Sequence, residues 1–275
     1  MELDTEALAL FARKGLEGGP GVPQAGEANA AKVRRVMQLT QTLSGRDFSA
    51  LRILDLGCGE GVYAIEAALH GAQVLAIDAR TERMAAGAAC AERHGLDNVR
   101  FVQADVRALA EFTDAASFDA VYCLGLLYHL DAPEVFDVLD LVHERCRRLL
   151  ILDTLITEAP DVEVVHGRLS YAGRRLREHG DGDSEAVRRA RVLRSIDSTF
   201  AFRFTRPALV HALHAVGFVT VLECHAPAEP GKASDRITLA ALKGEAVSIS
   251  TYPWINGMGE SELEARLRDA QPVAD

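Results

Sequence analysis

The feature that most constrains this chain is Leu54-Asp55-Leu56-Gly57-Cys58-Gly59-Glu60-Gly61, where an apolar run ends in three glycines at alternate positions. Glycine takes positive φ without steric cost and lets the backbone approach a ligand closely, so the run predicts a strand that turns sharply into a helix. A helix opening at Val62 presents free N–H groups to whatever lies in the turn. Short apolar runs at Leu51–Asp55, Gln73–Asp78, Val99–Gln103, Phe118–Leu124, Arg148–Asp153, Phe218–Glu223 and Ile237–Lys243 alternate with helical stretches. That alternation is the pattern of strands joined by crossover helices, and it predicts an α/β fold with a largely parallel sheet. Several helix ends are legible: Gly71, Gly95 and Gly217 as stops, Asp131-Ala132-Pro133-Glu134 and Thr205 as starts.

Three segments stand outside this scheme. Residues 1–50 form an N-terminal helical arm, with helices expected over 1–17 and 29–43, a Gly-Pro break at 18–23, and Val33, Val36, Met37 and Leu43 on one face. The core runs over 51–243 and carries an insert at 157–201, too long for an ordinary connection and expected as a helical cap. Residues 244–275 are a C-terminal extension holding the single tryptophan, Trp254. With 275 residues and 48% hydrophobic composition, one large core is expected. No basic and apolar leader opens the chain, no run is long enough to span a bilayer, and Cys58, Cys90, Cys123, Cys146 and Cys224 form no C-x-x-C pair. The expectation is a cytoplasmic protein without a disulfide framework or a metal; His211, His214 and His225 lack a recognisable ligand spacing. A net charge of −10 argues against nucleic acid as a partner.

The charges around the glycine turn separate its candidate ligands. A dinucleotide pyrophosphate would lie beside Asp55 and Glu60, and Val62 stands where the dinucleotide pattern needs its last glycine. A cationic ligand fits better. S-Adenosylmethionine carries a sulfonium and an α-ammonium, so Asp55 can receive the ammonium end directly or through water. Asp78, ending the second strand about 20 residues on, can accept from both ribose hydroxyls, and Asp105 after the third strand can accept from the adenine amino group. Each could instead be a turn residue. Acids at three successive strand ends favour the ligand role.

On these residues, together with Phe118-Asp119-Ala120-Val121 and Thr205-Arg206-Pro207-Ala208-Leu209, residues 51–155 and the later helix resemble the class I S-adenosylmethionine-dependent methyltransferases. The resemblance implies a Rossmann-like, seven-stranded, mostly parallel sheet flanked by helices, with a reversed last strand. It also implies that S-adenosylmethionine lies over the strand tips, held by Asp55, Gly57, Gly59, Gly61, Asp78 and Asp105 with Val106 and Leu124 against it. The exit of the fourth strand, Leu124 to Leu130, is then placed near the methionine moiety and the transferring methyl. There His129 is the candidate general base, set against a packing or capping role, and Tyr128 a pocket wall.

Within the insert, His166, Arg168, Tyr171 and Arg174 are the candidate substrate contacts, and arginine there would suit an acidic small molecule. Glu178, Asp181, Asp183 and Glu185 offer the competing explanation that these arginines pair on a solvated surface. The expected activity is methyl transfer to an O or N nucleophile of a small molecule, such as an acidic metabolite or natural-product intermediate. A tRNA or protein substrate, non-methyl-transfer use of the same cofactor, and a nicotinamide oxidoreductase are the alternatives. A homodimer stays open.

Overall fold

The computed structural model describes residues 2–11 and 25–245. Two arm helices, α1 (Thr5–Ala9) and α2 (Ala25–Ser44), precede β1 (Arg52–Leu56), α3 (Val62–Leu69), β2 (Gln73–Asp78), α4 (Thr81–Arg93), β3 (Val99–Gln103) and β4 (Phe118–Leu124). Then come α5 (Glu134–Arg145) and β5 (Cys146–Leu155), followed by the insert with β6 (Val162–His166), β7 (Leu169–Arg177), α6 (Glu185–Ala190) and β8 (Phe200–Phe204). The chain returns through α7 (Arg206–Ala215) to β9 (Thr220–Glu223) and β10 (Arg236–Leu242). The main sheet has seven strands in the order β3-β2-β1-β4-β5-β10-β9, with β10 antiparallel to both neighbours and the other pairs parallel. This is the sheet expected from the sequence, reversed strand included.

Side-chain alternation assigns each strand residue to one of two cores. Leu54, Leu56, Val121, Cys123, Leu150 and Leu152 pack on one face, beneath α5 and α7. Ile53, Val74, Ala76, Tyr122, Leu149 and Ile151 pack on the other, beneath α1 to α4. A parallel sheet covered on both faces needs such doubly apolar strands. Because the period along a strand is two, Asp55, Asp78 and Asp153 follow Ile53, Ala76 and Ile151 onto the α3 side, at the C-terminal tips of β1, β2 and β5.

The arm shares this second core. Leu3, Ala7, Val33, Val36 and Met37 are buried within it, and the Thr40 hydroxyl lies 2.7 Å from the Tyr122 hydroxyl. The described part of the first expected helix is α1; residues 12–24, and nearly all of the 244–275 extension with Trp254, lie outside the described residues.

The insert departs from the sequence expectation. In place of a helical cap, β6, β7 and β8 form a three-stranded antiparallel sheet, and α6 is a single helix of six residues. The local reason is a period of two in Val162-Glu163-Val164 and Leu169-Ser170-Tyr171, with β-branched valines and Gly167 at φ +61° turning a tight hairpin. Val162, Val164, Leu169, Tyr171, Phe202 and Phe204 pack into the α5 and α7 core.

Arg35, 2% exposed, donates to Glu229 at 2.9 Å and to the Pro227 carbonyl at 2.6 Å, tying α2 to the loop before β10. Removing one partner strands a buried charge that Lys32, 3.2 Å from Glu229, compensates in part. Arg35→Ala is expected to destabilise the fold by about 3 kcal/mol, read from urea unfolding.

Candidate active site

The glycine turn closes in the way its sequence requires. Gly57, Gly59 and Gly61 have φ of +63°, +56° and +79°, all in the left-handed region. A Cβ on Gly59 would come within 2.5 Å of the Arg83 guanidinium, and one on Gly61 within 2.5 Å of the Phe101 ring. Arg83 in turn forks onto Glu60 at 3.1 and 3.0 Å, packing α4 against the turn.

Asp78 holds the turn from the second strand. Its Oδ2 accepts the Gly59 N–H at 2.9 Å and its Oδ1 the Arg80 N–H at 2.8 Å, with the side chain buried. A carboxylate has about four acceptor positions, so hydroxyl donors can still be accommodated. Asp55 is 1% exposed on the same face of the sheet. Asp105 caps the turn after β3 and is forked by Arg107 at distances of 2.6 to 3.0 Å. Partial burial pushes its carboxyl up, but the Arg107 guanidinium and N–H hold it below the usual range. Val106 is buried beside it, and Leu124, at the tip of β4, is half-buried.

Four features of this edge were not identified from the sequence. Asp153 at the tip of β5 is forked by Arg236 at 2.6 and 2.5 Å and accepts the Thr238 hydroxyl at 2.7 Å. A fourth acid ending a strand was a signal available for it. Tyr63, in the first turn of α3, has its hydroxyl pushed up by burial and by the nearby Asp153 and Asp55 carboxylates. Arg203 of β8 lies 5.9 Å over the Tyr128 ring. His129 Nδ1 is 3.2 Å from Glu178, whose carboxylate also accepts the Ser195 N–H at 2.9 Å. Burial pushes Glu178 up, but hydrogen bonds from His129 and Ser195 outweigh it and hold the carboxyl below the usual range.

Residues 178–198 form a strap across three strand exits. Arg80, after β2, donates to the carbonyls of Arg191, Arg194 and Ser195 at 3.2 to 3.4 Å. Arg107, after β3, donates to Asp197 at 2.6 Å, and His129, after β4, meets Glu178. The part of the insert that reaches the site is therefore this strap.

The four expected contacts within the insert lie in or on the hairpin. Tyr171 is 2% exposed, with its ring 4.9 Å from Phe136 and 5.7 Å from His211, which makes it a core residue. His166 stacks on Phe136 at 4.6 Å, Arg168 is exposed at the hairpin turn, and exposed Arg174 lies 3.4 Å from Asp161. The hairpin sits on α5 and α7 because its apolar alternate residues bury there, in the core on the other face of the sheet from Asp55 and Asp78. Away from the strand tips, Glu6, Cys90 and His94 bring one ligand atom each within 4.8 Å of one another. Arg93 bonds the Glu6 carboxylate there, and its charge opposes a cation.

Residues 53–148 match the methyltransferase domain family. The ubiquinone biosynthesis O-methyltransferase of Psychrobacter cryohalolentis is 40% identical over 83 residues, 30% of this chain and 32% of that protein. That of Rickettsia prowazekii is 34% identical over 110 residues, 40% of this chain and 42% of that protein. The matched part thus spans a third to two fifths of the curated relatives' length. Among solved structures, the N-terminal domain of EvdMO1 with SAH bound is similar at 25% identity and a TM-score of 0.59, covering 77% of this chain and 81% of that one. Magnesium protoporphyrin IX methyltransferase from Synechocystis with bound SAH shares the fold at 16% identity and a TM-score of 0.56, covering 87% and 95%. The glycine turn and strands β2 to β4 lie within the stretch that matches the methyltransferase domain family, and the fold is similar to that of a solved domain with SAH bound.

Tyr171→Ala is expected to cost about 3 kcal/mol of stability, as for other large core deletions. Arg168→Ala should stay within about 0.5 kcal/mol of the parent. Urea unfolding of both variants separates the core position from the surface one.

Proposed function

We propose that the chain is an S-adenosylmethionine-dependent methyltransferase acting on an O or N nucleophile of a small molecule. The carrying observation is the pair of buried carboxylates, Asp55 and Asp78, on one face of the sheet around a turn of three positive-φ glycines. Their acceptor chemistry fits the cofactor: carboxylate oxygens for ribose hydroxyls, a buried acid for an ammonium group, and a turn with no Cβ to exclude a ligand. When bound, S-adenosylmethionine supplies a methyl group activated on a sulfonium.

The chain's own residues then divide the work. Asp78 would orient the ribose, Asp55 would receive the ammonium, and Asp105 with Val106 would hold the adenine, with Leu124 at the methionine end. His129 takes the proton that the acceptor loses. The strap over the strand exits narrows the approach and supports a small acceptor, as does the likeness to enzymes named for ubiquinone biosynthesis. The net charge of −10 weighs against nucleic acid. Among the described residues no helix is long and apolar enough to cross a membrane, and all five cysteines are free and buried, which supports a reducing, cytoplasmic setting.

Calorimetry with S-adenosylhomocysteine (SAH) tests the reading. Asp78→Asn is expected to weaken binding about 30-fold, or about 2 kcal/mol, through loss of a charged acceptor and loosening of the Gly59 N–H. Asp55→Asn should weaken SAH more than adenosine. Unchanged SAH affinity in both folded variants overturns the assignment. Incubation with methyl-labelled S-adenosylmethionine and a metabolite extract, followed by mass spectrometry, identifies the acceptor. His129→Asn is expected to lower kcat about 100-fold on a hydroxyl acceptor while leaving SAH affinity unchanged.

A further inference from the structure

We propose that Glu178 is a positioning residue that fixes His129 with its proton on Nδ1, so that Nε2 is the proton acceptor for a neutral hydroxyl of the methyl acceptor. The inference rests on the methyltransferase reading and names the acceptor class within it.

The geometry sets the tautomer. Glu178 is 5% exposed at its side chain and lies 3.2 Å from His129 Nδ1. An ionised carboxylate can only accept, so Nδ1 must donate and, in the neutral imidazole, Nε2 carries the lone pair. The carboxylate is itself held in place: the same oxygen accepts the Ser195 N–H at 2.9 Å, and Arg194 lies 4.0 Å from the other. Ser195 is fixed in turn, since its carbonyl meets His179 Nε2 at 2.7 Å and accepts from Arg80 at 3.4 Å. The base is thereby oriented by the strap rather than by its own loop.

Among the described residues, Arg194 of the strap lies 4.0 Å from Glu178, the Tyr128 ring is 4.3 Å from the His129 ring, and Arg203 of β8 lies over Tyr128. None of these is a carboxylate, and Glu178 is the acid bonded to the imidazole.

The charge balance points to a hydroxyl. As the acceptor oxygen bonds to the methyl carbon, its proton passes to Nε2, and the carbon–sulfur bonding pair stays on sulfur, leaving a neutral thioether. The positive charge that began on sulfur ends on the imidazolium, where Glu178 offsets it. An amine in its neutral form presents a free lone pair and can shed its proton afterwards, so it has less need of a base held in this way. A hydroxyl holds its proton near neutral pH.

Long-range ¹H–¹⁵N NMR of the histidine rings in the full chain, at about pH 7.5 and with the His129 signals assigned by His129→Asn, tests the arrangement. The parent should show a protonated Nδ1 and a bare Nε2 at His129, and Glu178→Ala should move the main population to the Nε2–H form. Glu178→Gln should keep the Nδ1–H form, with its proton resonance moved upfield as a charge-assisted bond becomes a neutral one. Should the alanine variant not fold, the glutamine variant carries the test. An Nε2–H or doubly protonated His129 in the parent, or a signal unmoved in the folded variant, overturns the proposal. SAH calorimetry on the same samples separates the two levels: failure of the parent to bind overturns the methyltransferase reading, whereas normal binding with the wrong tautomer overturns only the role of Glu178. The labelled methyl is expected in an ether, and its recovery on nitrogen would overturn the hydroxyl assignment alone.

Discussion

Asp78 is the residue on which the site's architecture turns. One oxygen receives the N–H of Gly59 and the other that of Arg80, so a single buried carboxylate fixes the glycine turn after β1 and the start of the connection after β2. Arg80 then reaches three carbonyls of the strap. Bonds from backbone N–H groups to an ionised acceptor are among the stronger ones a protein makes, and here they join two strand tips and the strap in one network.

That network can form because the sheet delivers its parts to one place. With each strand residue facing alternately up and down, Asp55, Asp78 and Asp153 emerge on the same side at the ends of three strands. Burying acids at the tips of β2 and β5 is tolerable because both have polar company. Asp78 has backbone donors, and Asp153 has Arg236 and Thr238. The strap repeats one device at two exits: Asp78-Ala79-Arg80 and Asp105-Val106-Arg107 each place an arginine two residues after an acid, and both arginines hold the strap.

The insert shows where sequence reasoning lost resolution. Its arginines and glycines suggested a polar helical cap, whereas the alternation in Val162-Glu163-Val164 carried a strand period that composition obscured. Tyr171 and His166, expected as substrate contacts, pack against Phe136. An aromatic residue near arginines has the same composition in a pocket wall as in a core, and only the packing of Phe136 against both rings decides between them. Asp153 was more accessible, since the logic applied to the first three strand ends extended to the fifth.

The sequence by itself determined the seven strands, the glycine turn and the acids at its rim, because period, glycine placement and strand-end position are local properties. Tertiary structure alone decided that Glu178 meets His129 across 49 residues, that Arg236 neutralises Asp153 across 83, and that the insert divides into a packed hairpin and a strap. The physical reason is that these pairings depend on which elements become neighbours when the two cores close. No spacing along the chain encodes a contact made between the end of one strand and a segment folded back over it.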